Sequence, residues 1–473
     1  MHSRILQLEV RQSIQDKMRA GGVAEPAINA FLAAVTKVAA GERGLIPESA
    51  IEPVLELPAL ESLPSDGVPS ETLLNQLVVV KLNGGLGTSM GLERVKSLIA
   101  VKAGQTFLDL IARQILRLRS HASAPQLAFY LMDSFSTQAD TLDYLRKYPA
   151  LATDGEIDFL QSKVPKLIKE TLIPVEWPAQ SELEWCPPGH GDLYPSLLGC
   201  GLLERLLARG FRFLFVSNAD NLGATVDRQL LQYFAESGGS FLMEVARRTP
   251  ADRKGGHLAR RRSDGRLLLR EGAQCPAADE PEFQNIERHG FFNMNNLWIR
   301  LDHLKEELDR RGGVLPLALI TNEKTVDPRD PGSPKVVQIE SAIGAGIECF
   351  ARSGAIVVPR SRFAPVKTTG DLLVLRSDAC RVTEDFQLVL DESRAGRPPI
   401  VELESKHYKL IADFEAAFAE GAPSLLRCES LKVSGKLSFP AGVECRGAVE
   451  FINTTAKPHA VKPGIYSNTQ VGF

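Results

Sequence analysis

Leu77-Val78-Val79-Val80-Lys81-Leu82-Asn83-Gly84-Gly85-Leu86-Gly87-Thr88-Ser89-Met90-Gly91 runs from a short apolar segment straight into a turn with four glycines. An apolar run without alternation fits a strand buried on both faces, and glycines let backbone N–H groups approach an anion with no Cβ in the way. The turn therefore reads as a phosphate cradle. No Gly-Lys-Ser/Thr closes it, so it is not a P-loop, and Met90 stands where a dinucleotide fingerprint requires its third glycine.

Downstream, short apolar runs alternate with amphipathic segments. The pattern predicts a helix over 106–119, a strand over 127–132, a helix after Ser134 and a strand from Phe211 to Val216. Such alternation indicates a parallel sheet covered on both faces, with ligands gathering at the carboxyl ends of its strands. Ser217-Asn218-Ala219-Asp220-Asn221 falls at one such end. Upstream, Ile5, Leu8, Ile14, Met18, Ile28, Phe31, Leu32 and Val35 recur at helical spacing, broken at Gly21-Gly22. The proline-rich stretch from Ile51 to Ser70 is expected to wrap over the surface. At the other end, Leu431, Leu437, Val443 and Val449 are six apart, as are Val433, Phe439, Cys445 and Phe451, which suggests a short parallel β-helix. A helix from about Glu404 to Phe418 would lead into it. The expected division is a helical lead-in over 1–70, an α/β core over 71–400, and a linker helix with the hexad unit over 401–473.

At 473 residues the chain is long enough for two or three structural units, and its net charge of -3 gives no overall attraction to nucleic acid or to an anionic membrane. Seven scattered cysteines, none in a CxxC pair, argue against a disulfide framework or a zinc site and suit a reducing cytoplasm. Residues 1–20 mix charges throughout and lack the apolar stretch of a secretory signal, and nowhere do about 18 apolar residues run uninterrupted. The basic run Arg247, Arg248, Arg253, Lys254, Arg260, Arg261 and Arg262 lacks interleaved aromatics and is soon followed by acidic residues, so it reads as a solvated hairpin or loop.

The chemistry-bearing candidates are local. Lys96 offers a mobile charge to phosphates; Pro187-Pro188-Gly189-His190-Gly191-Asp192 is a compact loop presenting a histidine; Asp220 is a carboxylate suited to Mg²⁺. Phe292-Asn293-Met294-Asn295-Asn296 presents amides suited to sugar hydroxyls, and Pro359-Arg360-Ser361-Arg362-Phe363 leads to Lys367. Taken singly, each is also compatible with a turn, a cap or a solvated charge. No base–nucleophile pair accompanies them.

Taken together, Lys81 to Met90, Lys96-Ser97, Pro187 to Asp192, Asp220-Asn221-Leu222-Gly223, Asn295-Asn296-Leu297-Trp298 and Pro359 to Thr369 resemble, in order and spacing, the eukaryotic-type UTP-glucose-1-phosphate uridylyltransferases. The resemblance implies a Rossmann-related, glycosyltransferase-A-like nucleotidyltransferase core and a C-terminal left-handed parallel β-helix, through which copies of the chain could associate. It implies a reaction of UTP with glucose 1-phosphate, with Mg²⁺ as cofactor. Leu82, Asn83, Gly84 and Gly85 would hold UTP by backbone groups, and Gln161 with Gly189 would read the uracil edge. His190 would contact glucose 1-phosphate, Asn218, Ala219 and Asp220 would lie along the nucleotide, and Asp220 would ligate the metal. Asn293, Met294 and Asn295 would hold the glucose; Lys96 and Lys367 would be the catalytic cations on the phosphates. Three positions depart from the family pattern: Arg94-Val95 where Gly-Pro is usual, Met294 for threonine, and Gly370 for serine. A relative acting on N-acetylhexosamine 1-phosphates and a binding protein without turnover are the alternatives.

Overall fold

The structure, a computed structural model, describes residues 8–64, 71–92, 94–121 and 124–473. The boundary expected near Ser70 and the first apolar residue of the lead-in, Ile5, lie outside these residues. The strand Leu77–Leu82 sits centrally in a ten-stranded sheet, parallel to Ala128–Asp133 on one side and to Phe213–Asn218 on the other. Alternation decides the packing: Leu77, Val79, Phe129, Leu131, Phe213 and Phe215 enter one apolar core with the helices Phe107–His121 and Arg228–Ser237. Val78, Val80, Tyr130, Met132, Leu214 and Val216 enter a second with the helices Leu193–Gly199 and Leu301–Arg310. Each large side chain buried this way contributes about 1.5–3 kcal/mol before chain entropy is set against it.

The sheet is mixed, which corrects the all-parallel expectation. Phe291–Arg300 runs antiparallel to both Phe213–Asn218 and Phe241–Arg247. Between Phe241–Arg247 and Phe291–Arg300 the chain makes the hairpin His257–Arg261 with Leu267–Arg270 in place of a long crossover helix, so the next strand enters in the opposite sense. The proline-rich stretch does more than cross the surface: Ile51–Pro53 pairs with His257–Arg261, and Ile51 and Val54 are buried.

The lead-in folds as two helices, Leu8–Ala20 and Glu25–Ala39, separated at the Gly21-Gly22 break. At the C-terminus, Ile400–Leu403, Ser424–Ser434, Val443–Ile452 and Gly464–Gly472 form a four-stranded parallel sheet, and Leu437–Ser438 pairs in parallel with His459–Ala460. All eight hexad residues are buried. Leu431 pairs with Val449 and Val433 with Phe451, so one circuit of the chain spans three hexads. The expected linker helix is instead two short ones, Ser405–Tyr408 and Ile411–Ala417. The Tyr408 carbonyl accepts from the Thr369 hydroxyl at 2.6 Å, and Leu410 is extended. A side-chain donor takes the carbonyl a continuous helix would have used.

Candidate functional site

The carboxyl ends of Leu77–Leu82, Ala128–Asp133 and Phe213–Asn218 lie side by side at one edge of the sheet. Asn83 supports the glycine turn from beneath. Its N–H donates to the Met132 carbonyl, its amide donates to Asp133 and Thr141, and its Oδ1 accepts from Ser97. The backbone groups left to face an anion therefore begin at Gly84. Burial pushes the Asp133 carboxyl up to about 7. Leu82 accepts from Ala219 N–H at 3.0 Å, which ties the turn to the Asn218–Asp220 segment. Ala219 is buried, so it offers the cleft no side chain.

Gln161, Gly84 and Gly189 come together as the resemblance implied. Gln161 Nε2 donates to the Gly189 carbonyl at 2.9 Å, and a Cβ placed on Gly84 would lie 2.7 Å from Gln161 Oε1. Gly189 has φ +80°, and a Cβ there would fall 2.5 Å from the Ser341 carbonyl oxygen. Gly189 is required by space and by backbone conformation, whereas a side chain at Gly84 would displace the end of Gln161. Next to them, the Ile343 N–H donates to His190 Nδ1 at 2.8 Å. Burial lowers the His190 pKa to about 4, so at neutral pH the ring is uncharged with its proton on Nε2, a single donor.

Lys96 Nζ donates to Asp220 Oδ2 at 2.6 Å, both side chains being partly exposed. The route by which Arg94-Val95 present Lys96 is visible: Val95 is buried and bridges Leu86, and Lys96 N–H reaches the Gly85 carbonyl. Among the described residues no three or more His, Cys, Asp or Glu side chains gather as a metal cage. A cation at Asp220 would rest on one protein carboxylate and complete its shell from phosphate and water oxygens, the pattern that suits Mg²⁺. The donor set fits that ion.

The asparagine cluster lies within the strand Phe291–Arg300, not before it. Opposite Met243 to Val245 the register slips, and Asn295 adopts φ +58°: a β-bulge. Asn295 Nδ2 donates to Asn218 Oδ1 at 2.8 Å, and its N–H donates to Asn293 Oδ1. Met294 points the other way; its side chain is buried in the first core, so the methionine in place of threonine is a packing residue.

Lys367 is exposed, with Nζ 5.9 Å from the Phe363 ring centroid, just before the helix Thr369–Arg376. Gly370 does not loosen this loop: a Cβ there would lie 2.7 Å from the Val401 carbonyl oxygen, so glycine is what lets the helix sit close. Most of the basic run is exposed, Arg247, Arg253, Lys254 and Arg262 among it, but two basic residues are buried. Arg362 is buried against Glu244, and Arg248 is buried while donating to the carbonyls of Phe283, His289, Asp252 and Arg253. Sequence reading missed Glu244, within a strand, and Glu271, just after one, because neither has a motif around it. Burial raises the Glu271 pKa while Lys367 opposes that shift, so this carboxyl lies within electrostatic reach of Lys367.

The family model described as UTP--glucose-1-phosphate uridylyltransferase matches residues 28–446. The chain belongs to that family. It is 43% identical over 377 residues to the UTP--glucose-1-phosphate uridylyltransferase of Saccharomyces cerevisiae, covering 80% of this chain and 74% of that one. The Solanum tuberosum protein of the same name is 39% identical over 439 residues, 90% of this chain and 88% of the other. Among solved structures, a point mutant of Leishmania major UDP-glucose pyrophosphorylase in complex with UDP-glucose superposes with a TM-score of 0.93 at 48% identity, covering 98% of this chain and 100% of that one. A UDP-glucose phosphorylase from Trypanosoma brucei gives a TM-score of 0.90 at 49% identity, covering 98% and 100%. The mixed α/β fold is thus that of the family's solved structures.

Proposed function

We propose that this chain joins UTP and glucose 1-phosphate to form UDP-glucose and pyrophosphate, reversibly. The observation that carries this reading is the meeting, at one cleft, of a built base reader at Gln161–Gly189 with the Lys96–Asp220 pair. Gln161 has committed Nε2 to Gly189, which leaves Oε1 to accept the N3–H that uracil carries and cytosine lacks. The Gly189 carbonyl is taken by Gln161 and Asp192, so its N–H is the group available to a uracil oxygen.

An oxygen of the sugar phosphate attacks the α-phosphorus of UTP in line; the new P–O bond forms as the α–β bridging bond breaks and pyrophosphate leaves. That oxygen is already ionised near neutral pH, so no protein base is needed, and positioning with charge neutralisation does the work. Gly84 and Gly85 offer backbone donors, Lys96 and Lys367 supply point charges, and His190 donates from Nε2 to the sugar phosphate. Asn293 and Asn295 meet sugar hydroxyls, with Asn218 fixed beside them. Magnesium held at Asp220 would neutralise phosphate charge. Part of the same proposal is that the C-terminal parallel sheets are turns of a left-handed β-helix, supported by the three-hexad register, and that copies associate through its edge strand Gly464–Gly472. A cytoplasmic setting suits the free cysteines; no described helix is long and apolar enough to cross a membrane.

Pyrophosphate release with glucose 1-phosphate and each of UTP, CTP, ATP and GTP tests the reading. UTP should lead by at least about two orders of magnitude, because each rival leaves the buried base contacts unmatched. Comparable rates with CTP would remove Gln161 as the base reader.

A further inference from the structure

We propose that the buried pair Glu244–Arg362 is a positioning device for uridylyl transfer, holding the Asp220 loop and the Lys367 loop in register; this rests on the function proposed above. Glu244 lies in the strand Phe241–Arg247 and is fully buried. Its two carboxylate oxygens accept from Arg362 Nε and Nη2, each at 2.7 Å, and also from Trp298 Nε1 at 2.9 Å and Asn296 Nδ2 at 3.0 Å. That fork fixes the guanidinium in two directions at once.

Arg362 uses the rest of its groups to join the site segments. Its Nη2 donates to the Thr225 carbonyl at 3.0 Å, and its own carbonyl accepts from Asn221 Nδ2 at 3.1 Å and Asn296 Nδ2 at 3.3 Å. Asn221, the neighbour of Asp220, in turn accepts from Ala364 N–H at 2.9 Å. The contact is too close for any side chain at Gly223, where a Cβ would lie 2.4 Å from the Ser361 carbonyl oxygen. The adjacent Ala224 carbonyl is held at 2.6 Å by Lys81, which comes from the strand that feeds the glycine turn. Two buried basic side chains thus grip successive carbonyls of one loop, and Lys367 follows Arg362 by five residues with Val366 buried between. Neither Glu244 nor Arg362 needs to touch substrate for its loss to be felt at the phosphates.

Replacing a buried ion pair by neutral groups of similar shape is often tolerated in stability, which separates support of the fold from support of the site. The test compares wild type, Glu244→Gln/Arg362→Met, Lys367→Ala and their combination, reading kcat and KM for UDP-glucose formation and UDP-glucose binding by calorimetry. We expect the double variant to lose at least about tenfold in kcat while its UDP-glucose Kd stays within about threefold. Lys367→Ala should cost wild type about tenfold or more, and the double variant less than about threefold, because the lysine there is already displaced. Unchanged kcat in the double variant, or the same factor lost to Lys367→Ala in both backgrounds, would overturn the proposal. Should the double variant not fold by circular dichroism, Arg362→Lys, which keeps the buried charge and loses the fork, is judged by the same two ratios. A wild-type protein that forms no UDP-glucose overturns the underlying function instead, and the wild-type progress curve alone shows it.

Discussion

Lys96 and Asp220 are bonded to each other at 2.6 Å, so each fixes the position of the other. In the proposed reaction phosphate oxygens would compete for Lys96, and a divalent cation for Asp220. Asp220→Asn keeps the shape and removes the charge. We predict that it lowers kcat by about two orders of magnitude and shifts the activating Mg²⁺ concentration upward, measured by titrating the metal at fixed UTP. His190 makes a contrasting prediction. With its pKa near 4, it does not ionise across the assay range, so the rate between pH 6 and pH 8 should carry no histidine inflection assignable to it. A His190→Gln profile with the same shape and a lower plateau would agree; loss of a titration step in that variant would not. Sequence could name these three residues because each sits in a motif. It could not show that Asn83 is spent on Asp133, Thr141 and Ser97, since hydrogen-bond partners far along the chain leave no local trace.

The elements show why the motifs have the residues they do. Gly84 faces Gln161, and Gly189 faces the Ser341 backbone, so a side chain at the first would move Gln161 and one at the second would have to shift backbone. Gly189→Ala should cost about 1–3 kcal/mol in stability from the positive φ and the clash, and raise KM for UTP more than tenfold. Gly84→Ala should mainly raise KM, because the atom it meets is the movable end of Gln161. Thermal melts beside steady-state kinetics separate the two. The strands Leu77–Leu82, Ala128–Asp133 and Phe213–Asn218 and the helix Phe107–His121 were legible from periodicity, which reports burial directly. The bulge at Asn295 was not. Its three asparagines, Asn293, Asn295 and Asn296, interrupt the apolar pattern of a strand that nonetheless continues through them, because ladder bonds to neighbours on either side outweigh local preference. The antiparallel sense of Phe291–Arg300 was hidden for a related reason: strand direction depends on the connection, and the hairpin that sets it carries the basic run that reads as loop.

Over the whole molecule, one apolar cluster extends from Leu60 through the sheet to Val461, so the hexad unit packs directly on the side of the core that carries the Lys367 helix. The hexad spacing was readable because every sixth residue of two series is buried; the contact with the core was not, since it depends on Tyr408, Phe414 and Phe418 in and just after the two short helices. The N-terminal segment is fastened at another place. Glu48 meets Arg270, Arg288 and His289, and His289 stacks on His257 with ring centroids 3.9 Å apart. Burial lowers both histidine pKa values; His289 and nearby arginines push His257 further down, while Glu48 opposes the shift of His289. The unfolded chain therefore takes up protons below about pH 6.5 that the folded chain refuses, and stability falls as the pH falls, by up to about 1.4 kcal/mol per group per pH unit. His257→Phe should flatten the fall in melting temperature between pH 6.5 and pH 5; an unchanged slope would remove the pair as its source.

The central claim, a cleft built for uridylyl transfer to glucose 1-phosphate, is most directly tested by initial rates with UTP and glucose 1-phosphate, galactose 1-phosphate or N-acetylglucosamine 1-phosphate, each with and without Mg²⁺. The account predicts UDP-glucose as the leading product by at least about tenfold and little product without the metal. Equal rates with all three sugars, or full activity without a divalent cation, would contradict it.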